Sequence, residues 1–139
     1  MPGLAPGNGI FVDTRFTTSG ILSLINTIVA GNINSVNGTV GSDISGYVTW
    51  ADHSLVGDAD GTGIVYGPGN IVGGNGNPVI NALLGPLQNN GGPTQTMALS
   101  AGSPAIGHAD NFEAPAMDQR GITRLDETGE TTDIGAFEL

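Results

Sequence analysis

Hydrophobic residues in this chain come in short groups, mostly of two or three, each closed by glycine, asparagine, proline or aspartate. That punctuation predicts short strands joined by tight turns. β-Branched side chains suit a pleated backbone, and Gly and Asn accept the left-handed φ that corners demand. The strands read from the pattern are 10–12, 21–32, 43–46, 47–50, 54–57, 63–66, 70–72 and 79–80, followed by 96–99, 122–124 and 133–137. Segment 21–32 is apolar on most of both parities: Leu22, Leu24, Ile28 and Ala30 alternate with Ile25 and Val29. A strand covered on both faces reads this way. Segment 85–95 (GPLQNNGGPTQ) reads as turns, and Leu83-Leu84 begin at most a short helical turn, which Gly85-Pro86 stops.

An apolar strand ending in glycine recurs at 28–32, 54–58 and 70–74, at intervals of about 26 and 17 residues. Those intervals bracket the roughly 20–25-residue coil of a parallel β-solenoid, in which three short strands and three turns stack on the coil before. The 12 asparagines suit corner positions and stacked amide ladders. The expected architecture is therefore all-β: a right-handed parallel β-helix of roughly five coils plus an irregular C-terminal cap. Its organisation reads as an irregular N-terminal segment 1–9, coils over 10–99, and turns with a capping segment of the same domain over 100–139. A β-sandwich, the rival, calls for cleaner alternation and longer strands.

A set of ordered motifs adds to this. NTIVAGN (26–32), DISG (43–46), SLVGD (54–58) and GNIVG (69–73) precede NPVINALLGPLQNNGGPTQTMAL (77–99), GSPAI (102–106), DQRGITR (118–124) and DIGAFE (133–138). Together they resemble the C-terminal part of secreted bacterial proteins called choice-of-anchor Q domain proteins, over about 110 residues. The resemblance implies a right-handed parallel β-helix related in pattern to polymorphic outer-membrane and adhesin-like repeats. It also implies an extracellular or cell-surface setting, with the signal and the anchor lying outside this chain. The chain departs from the family at Asn77-Pro78 and at Ala105-Ile106-Gly107, where the family carries Asp-Pro and Ala-Ile-Asp.

Composition narrows the chemistry. Gly (24) is the commonest residue and Pro adds 8, which argues against helical bundles. The formal net charge is −10, there is no lysine, and the basic side chains are Arg15, Arg120 and Arg124. Phosphate neutralisation needs clustered Lys and Arg, so nucleic acid is excluded as a partner, as is attraction to an anionic membrane surface. With 0 cysteines, disulfides, thiolate metal sites and thiol nucleophiles are excluded. Apolar runs as short as Ile28-Val29-Ala30 predict no membrane insertion.

Four groups of residues carry candidate chemistry. Asp58-Ala59-Asp60-Gly61 opens like a calcium loop, making Asp58 and Asp60 candidate Ca²⁺ ligands, although Gly69 stands where an EF-hand needs Glu. The competing reading is a tight turn. Asp118, Arg120, Arg124 and Asp133 are the densest polar signal. As a pair, Asp118 and Asp133 could serve acid–base or metal chemistry. The favoured reading makes these four residues a structural cap, with arginine clamping carboxylate. Tyr47, Trp50 and Tyr66 are candidates for glycan stacking, or else ordinary cover for a sheet face. His53 and His108 lack both a nucleophile elbow and a metal-type spacing, and read as corner or surface residues.

The expected function is a non-catalytic structural or adhesive module of a secreted or cell-surface bacterial protein. Its partners would be other copies stacked end to end into filaments, or a surface glycan or protein. The alternatives are a fragment of a polysaccharide-active lyase or hydrolase, and a calcium-dependent glycan-binding module. Against the enzyme stand the absence of Lys, the lack of an Asp-Asp pair, and a −10 charge that repels acidic glycans.

Overall fold

A computed structural model describes residues 9–12, 21–33, 41–124 and 131–139. The irregular segment expected over 1–9 falls almost wholly outside these residues, and so does Arg15. The described strands are β1 (Ile10–Phe11), β2 (Ser23–Ile25), β3 (Ile28–Val29), β4 (Ile44–Ser45), β5 (Tyr47–Asp52), β6 (Leu55–Val56), β7 (Gly63–Tyr66), β8 (Ile71–Val72), β9 (Leu84–Gln88) and β10 (Thr96–Leu99). No helix among the described residues is long and apolar enough to cross a membrane.

Two three-stranded parallel sheets form the centre, in the orders β2-β5-β7 and β3-β6-β8. In the second, Ile28, Leu55 and Ile71 stand in one register row, and Val29, Val56 and Val72 in the next. The rows face different cores. Val29, Val56 and Val72 join Leu24, Ile44, Val48, Ala51 and Ala59. Ile28, Leu55 and Ile71 join Ala82, Leu99, Ala105, Ile134 and Phe137. The sheet is thus covered on both sides, which accounts for the two-parity apolar pattern of 21–32. Burying each Val or Leu fully is worth about 1.5–3 kcal/mol, so these short strands are held by their side chains more than by their few hydrogen bonds.

The right-handed parallel β-helix of roughly five coils is not what forms. The described strands make four small separate sheets, of two or three strands each, and one of them is antiparallel. None closes into a solenoid or barrel. Parallel pairing ends at Val72. Beyond it, β9 and β10 fold back on one another as an antiparallel pair, which cannot extend a parallel ladder. Over 100–124 and 131–139 no strand forms, and the chain is held by backbone bonds such as Ile134 N–H to the Ala105 carbonyl, by side chain–backbone bonds, and by the buried Ala105, Ile134 and Phe137.

Local differences have identifiable causes. Segment 21–32 is two strands, because Asn26 at φ 47° breaks it. The expected turn region contains β9 instead, with Leu83 at φ 52° ending the preceding segment. Strands expected at 79–80, 122–124 and 133–137 are absent, and only an isolated bridge, Met117 to Thr123, remains there.

The turns between the two central sheets share a device. Asn26, His53 and Gly69, at three successive levels, all adopt left-handed backbone, with φ 47°, 40° and 67°. The next residues tie the levels together: Thr27 N–H donates to Ser54 Oγ (3.2 Å), and Ser54 N–H to Asn70 Oδ1 (3.0 Å). Glycine takes this conformation freely, whereas asparagine and histidine, though among the side chains most often found there, pay up to roughly 1–2 kcal/mol.

Candidate functional site

The C-terminal polar residues form a clasp around the last strand-less segment of the chain. Asp118, at 6% exposure, accepts hydrogen bonds on both oxygens. Oδ1 receives the N–H groups of Arg120 (2.7 Å) and Ile122 (3.1 Å). Oδ2 receives Arg120 Nε (2.8 Å) and the N–H of Glu138 (3.0 Å), and pairs with Arg120 Nη2 at 2.7 Å. Arg120 also donates to the Glu138 carbonyl and lies 3.6 Å over the Phe137 ring. Burial pushes the Asp118 carboxyl up. The N–H of Glu138, the Arg120 guanidinium and the N–H groups of Ile122 and Arg120 together outweigh it, holding the carboxyl below its usual range.

Arg124 closes the other side. Nη1 pairs with Glu138 Oε2 at 2.9 Å and donates to the Asp133 carbonyl at 3.1 Å, while Nη2 donates to the Gly135 carbonyl. Its Nε is buried without a partner among the described residues. The Asp133 carboxylate does not meet an arginine. It accepts from the N–H groups of Gly107 (2.7 Å) and Leu139 (2.9 Å). Burial pushes Glu138 up, and the Asp133 charge adds to this. The Asp133 N–H and Arg124 oppose both without prevailing. So the sequence-predicted Asp118, Arg120, Arg124 and Asp133 do come together, organised by Glu138, which sequence reasoning did not single out. Glu138 lies five residues from Asp133 and 14 from Arg124, and neither spacing marked it.

Neither member of the Asp118/Asp133 pair is poised for acid–base work, because its oxygens are spent on N–H donors. An open groove of about 970 Å³ borders them, lined on its apolar side by Ile25, Leu87, Met97, Met117 and Phe137. It therefore meets charged groups already committed to internal bonds.

Asp58 and Asp60 sit in a turn after β6. Asp58 Oδ1 accepts the Asp60 N–H at 3.0 Å, and Asp60 accepts the Asn75 N–H. Asp58 is buried and Asp60 exposed. Beside them lies Asp43, at 1% exposure, another carboxylate the sequence did not flag. It accepts the Asn32 N–H and Nδ2 (both 2.9 Å) and the Asp58 N–H (2.7 Å).

Tyr47 and Trp50 are brought onto one outer surface. Val48 and Ala51 point inward, and a register shift between them lets both Thr49 and Trp50 N–H donate to the Leu22 carbonyl. Such a bulge re-aims a side chain. Each ring lies against a glycine of the neighbouring segment. A Cβ at Gly63 would fall 2.7 Å from Tyr47 Cδ2, and one at Gly67 would fall 2.6 Å from Trp50 Cζ2. The rings stay 47% and 40% exposed. Tyr66 is also exposed, at 54%, and pairs with Ala51 beyond the register shift; no contact among the described residues places it beside the other two rings.

One further group lies at the corner between the sheets. Asp52, His53 and Asp110 place a donor atom each within 4.8 Å of one another, all half-buried. His53 Nδ1 is 2.5 Å from Asp52 Oδ1. No spacing signal could have joined Asp110 to a pair so distant in sequence. His108 is exposed, with Nδ1 2.6 Å from the Ile106 carbonyl. Ser54 Oγ and Ser103 Oγ donate to the carbonyls of Asp52 and Ala82, so neither serine is paired with an imidazole.

No family model matches this chain, and neither curated proteins nor solved structures provide a match.

Proposed function

We propose that the chain is a non-catalytic adhesive module of a secreted or cell-surface bacterial protein, and that it contacts a neutral glycan through Tyr47 and Trp50. The observation that carries this is the pair of half-exposed rings braced on Gly63 and Gly67. Glycine beneath each ring fixes an aromatic plane at low entropic cost, and a flat π-face suits the C–H-rich face of a sugar. A net charge of −10 favours a neutral sugar over a uronate. The resemblance of the chain's motifs to adhesin-like proteins supports the cell-surface setting. The saturated oxygens of Asp118 and Asp133 support a role without chemistry at that pair.

Trp50 is the only tryptophan, so its fluorescence reports the site directly. Titration with neutral oligosaccharides is expected to shift or quench that emission saturably, and Trp50→Ala or Tyr47→Ala to weaken retention on the matching polysaccharide about tenfold or more. Unchanged emission across a panel of neutral glycans, together with unaltered retention of Trp50→Ala, would sink the reading.

A further inference from the structure

The corner cluster of Asp52, His53 and Asp110 gathers two carboxylates and an imidazole with no described arginine beside them. Carboxylates at Asp118 and Glu138 are met by arginine, and Asp43, Asp58 and Asp133 by backbone N–H groups, while Asp110 Oδ1 accepts the Phe112 N–H at 2.9 Å and Asp52 Oδ1 faces His53 Nδ1. At the corner, two carboxylates and an imidazole converge within 4.8 Å, and both described arginines are committed to the C-terminal clasp. Converging carboxylate oxygens and an imidazole nitrogen are a donor set that divalent transition metals take.

The surroundings hold these donors in place. Asp110 is tied to the turn by a reciprocal pair: its N–H donates to Asn26 Oδ1 (2.7 Å), and Asn26 Nδ2 donates to its carbonyl (3.0 Å). Asp52 closes β5 in register with Ile25. The His53 N–H is fixed to the Pro68 carbonyl at 2.9 Å. The imidazole lies directly against Gly69, where a Cβ would fall 2.2 Å from Cδ2. Gly69 thus serves both the left-handed turn and the seat of the ring. At the equivalent point of the turn below stands Asn26, and at the one above stands Gly69; the middle level alone carries a metal-ligating side chain in that conformation.

We propose that Asp52, His53 and Asp110 bind a divalent transition-metal ion, Zn²⁺ being the best fit. One imidazole nitrogen and two carboxylate oxygens match the N/O ligand sets of zinc, with a fourth position left for water. Calcium is disfavoured, since it takes six to eight oxygens. Zinc bonds of about 2.0–2.2 Å set donors roughly 3.3 Å apart in a tetrahedron. The donors here already lie within 4.8 Å of one another, with His53 Nδ1 and Asp52 Oδ1 at 2.5 Å, so small adjustments of the held side chains complete the ligand set. Binding would cross-link the β5 turn to the loop carrying Asp110. The site shares no residue with the Tyr47–Trp50 surface, although Asp52 lies two positions beyond Trp50 on β5, and Zn²⁺ binding is read without any glycan present.

The test is titration of the full 139-residue chain with Zn²⁺, followed by calorimetry, melting temperature and the NMR signals of the two histidine rings. Saturable one-to-one binding, a melting point raised by several degrees, and a shifted His53 ring beside an unshifted His108 ring are expected. His53→Asn, which places at this turn the residue the level below already uses, and Asp110→Asn should each weaken binding at least tenfold. His108→Gln should leave it unchanged. Absence of saturable binding, a response that follows His108, tighter binding of Ca²⁺ than Zn²⁺, or full affinity in His53→Asn overturns the proposal. Should Asp110→Asn fail to fold, an unmoved His53 ring in the unaltered chain overturns it equally.

Discussion

The two halves of the molecule are held by different means. Over 22–33 and 41–71 the chain is ordered by rows of aliphatic side chains, one above the other, in two parallel sheets. Over 103–124 and 131–139 there is no strand, and beside backbone bonds and the buried Ala105, Ile134 and Phe137 the chain is pinned by the side chains of a few charged residues: Asp118, Arg120, Arg124, Asp133 and Glu138. In the first half the stabilising energy is spread thinly over many contacts, so no one of them is indispensable. In the second it is concentrated in groups whose removal strands several partners at once. Trimming a buried aliphatic side chain costs the area lost and the cavity left, about 2–5 kcal/mol, whereas removing one member of a buried ionic network also leaves its partners unpaired.

The sharpest way to break this comparison is to remove the most connected cation. Arg124→Ala leaves the Glu138 carboxylate without its cation and the carbonyls of Asp133 and Gly135 without their donor. The expected loss is about 3–5 kcal/mol in urea unfolding. Leu55→Ala comes next, at about 3 kcal/mol, because Leu55 is fully buried in the sheet that both cores share. If Arg124→Ala costs clearly less than Leu55→Ala, the C-terminal half is held by its apolar contacts and the contrast is wrong.

A smaller effect probes how tightly the parallel half is built. The backbone of Gly73 runs against that of Gly57 and the segment after Pro78: an added Cβ would lie 2.3 Å from the Gly57 carbonyl oxygen and 2.7 Å from that of Pro78. Gly73→Ala must push backbone apart and should cost about 1–3 kcal/mol. Gly76→Ala would meet nothing within 4 Å, although its φ of 92° strains any side chain. Hydrogen exchange can separate the two cases. Gly73→Ala should loosen the amides of Ile80 and Ala59, which bond to Gly57 and Gly73, and Gly76→Ala should leave them protected.

How much of this was legible follows from the same division. The rows at 28–29, 55–56 and 71–72 were visible because apolar pairs before glycine recur, and recurrence is what stacking in register requires. The extrapolation to five coils failed because it extended that rhythm past Val72, where Leu83 and Pro86 set up an antiparallel pair. The strand read at 133–137 failed for another reason. Ile134 and Phe137 give it an apolar look, but its backbone bonds run to Ala105, Asn26 and the clasp. Asp118 and Arg120 were readable as a local pair, being two residues apart. Glu138 with Arg124, and Asp110 with Asp52 and His53, are brought together only by the tertiary fold, and no spacing encodes that.

The mildest perturbation, pH, reads the contrast without any substitution. Both shifted carboxyls described here lie in the clasp, and they shift in opposite directions. Glu138 holds its proton more tightly folded than unfolded. Its contribution is therefore full when protonated and is lost as pH rises through the folded value. Asp118 holds its proton less tightly folded, so its contribution is present at neutral pH and is lost as pH falls through the folded value. Acidification from neutrality should first stabilise the chain slightly, just above the ordinary glutamate range, and then destabilise it below the ordinary aspartate range. A plot of melting temperature against pH should show a shallow maximum between the two. Glu138→Gln should flatten the neutral side of that maximum, and Asp118→Asn, though less stable throughout, should flatten the acid side. A profile that falls steadily from neutral pH, or one on which Glu138→Gln has no effect, would mean that Arg124 rather than burial governs Glu138. The clasp would then be a simple ion pair, with Glu138 adding to its strength at neutral pH instead of subtracting from it.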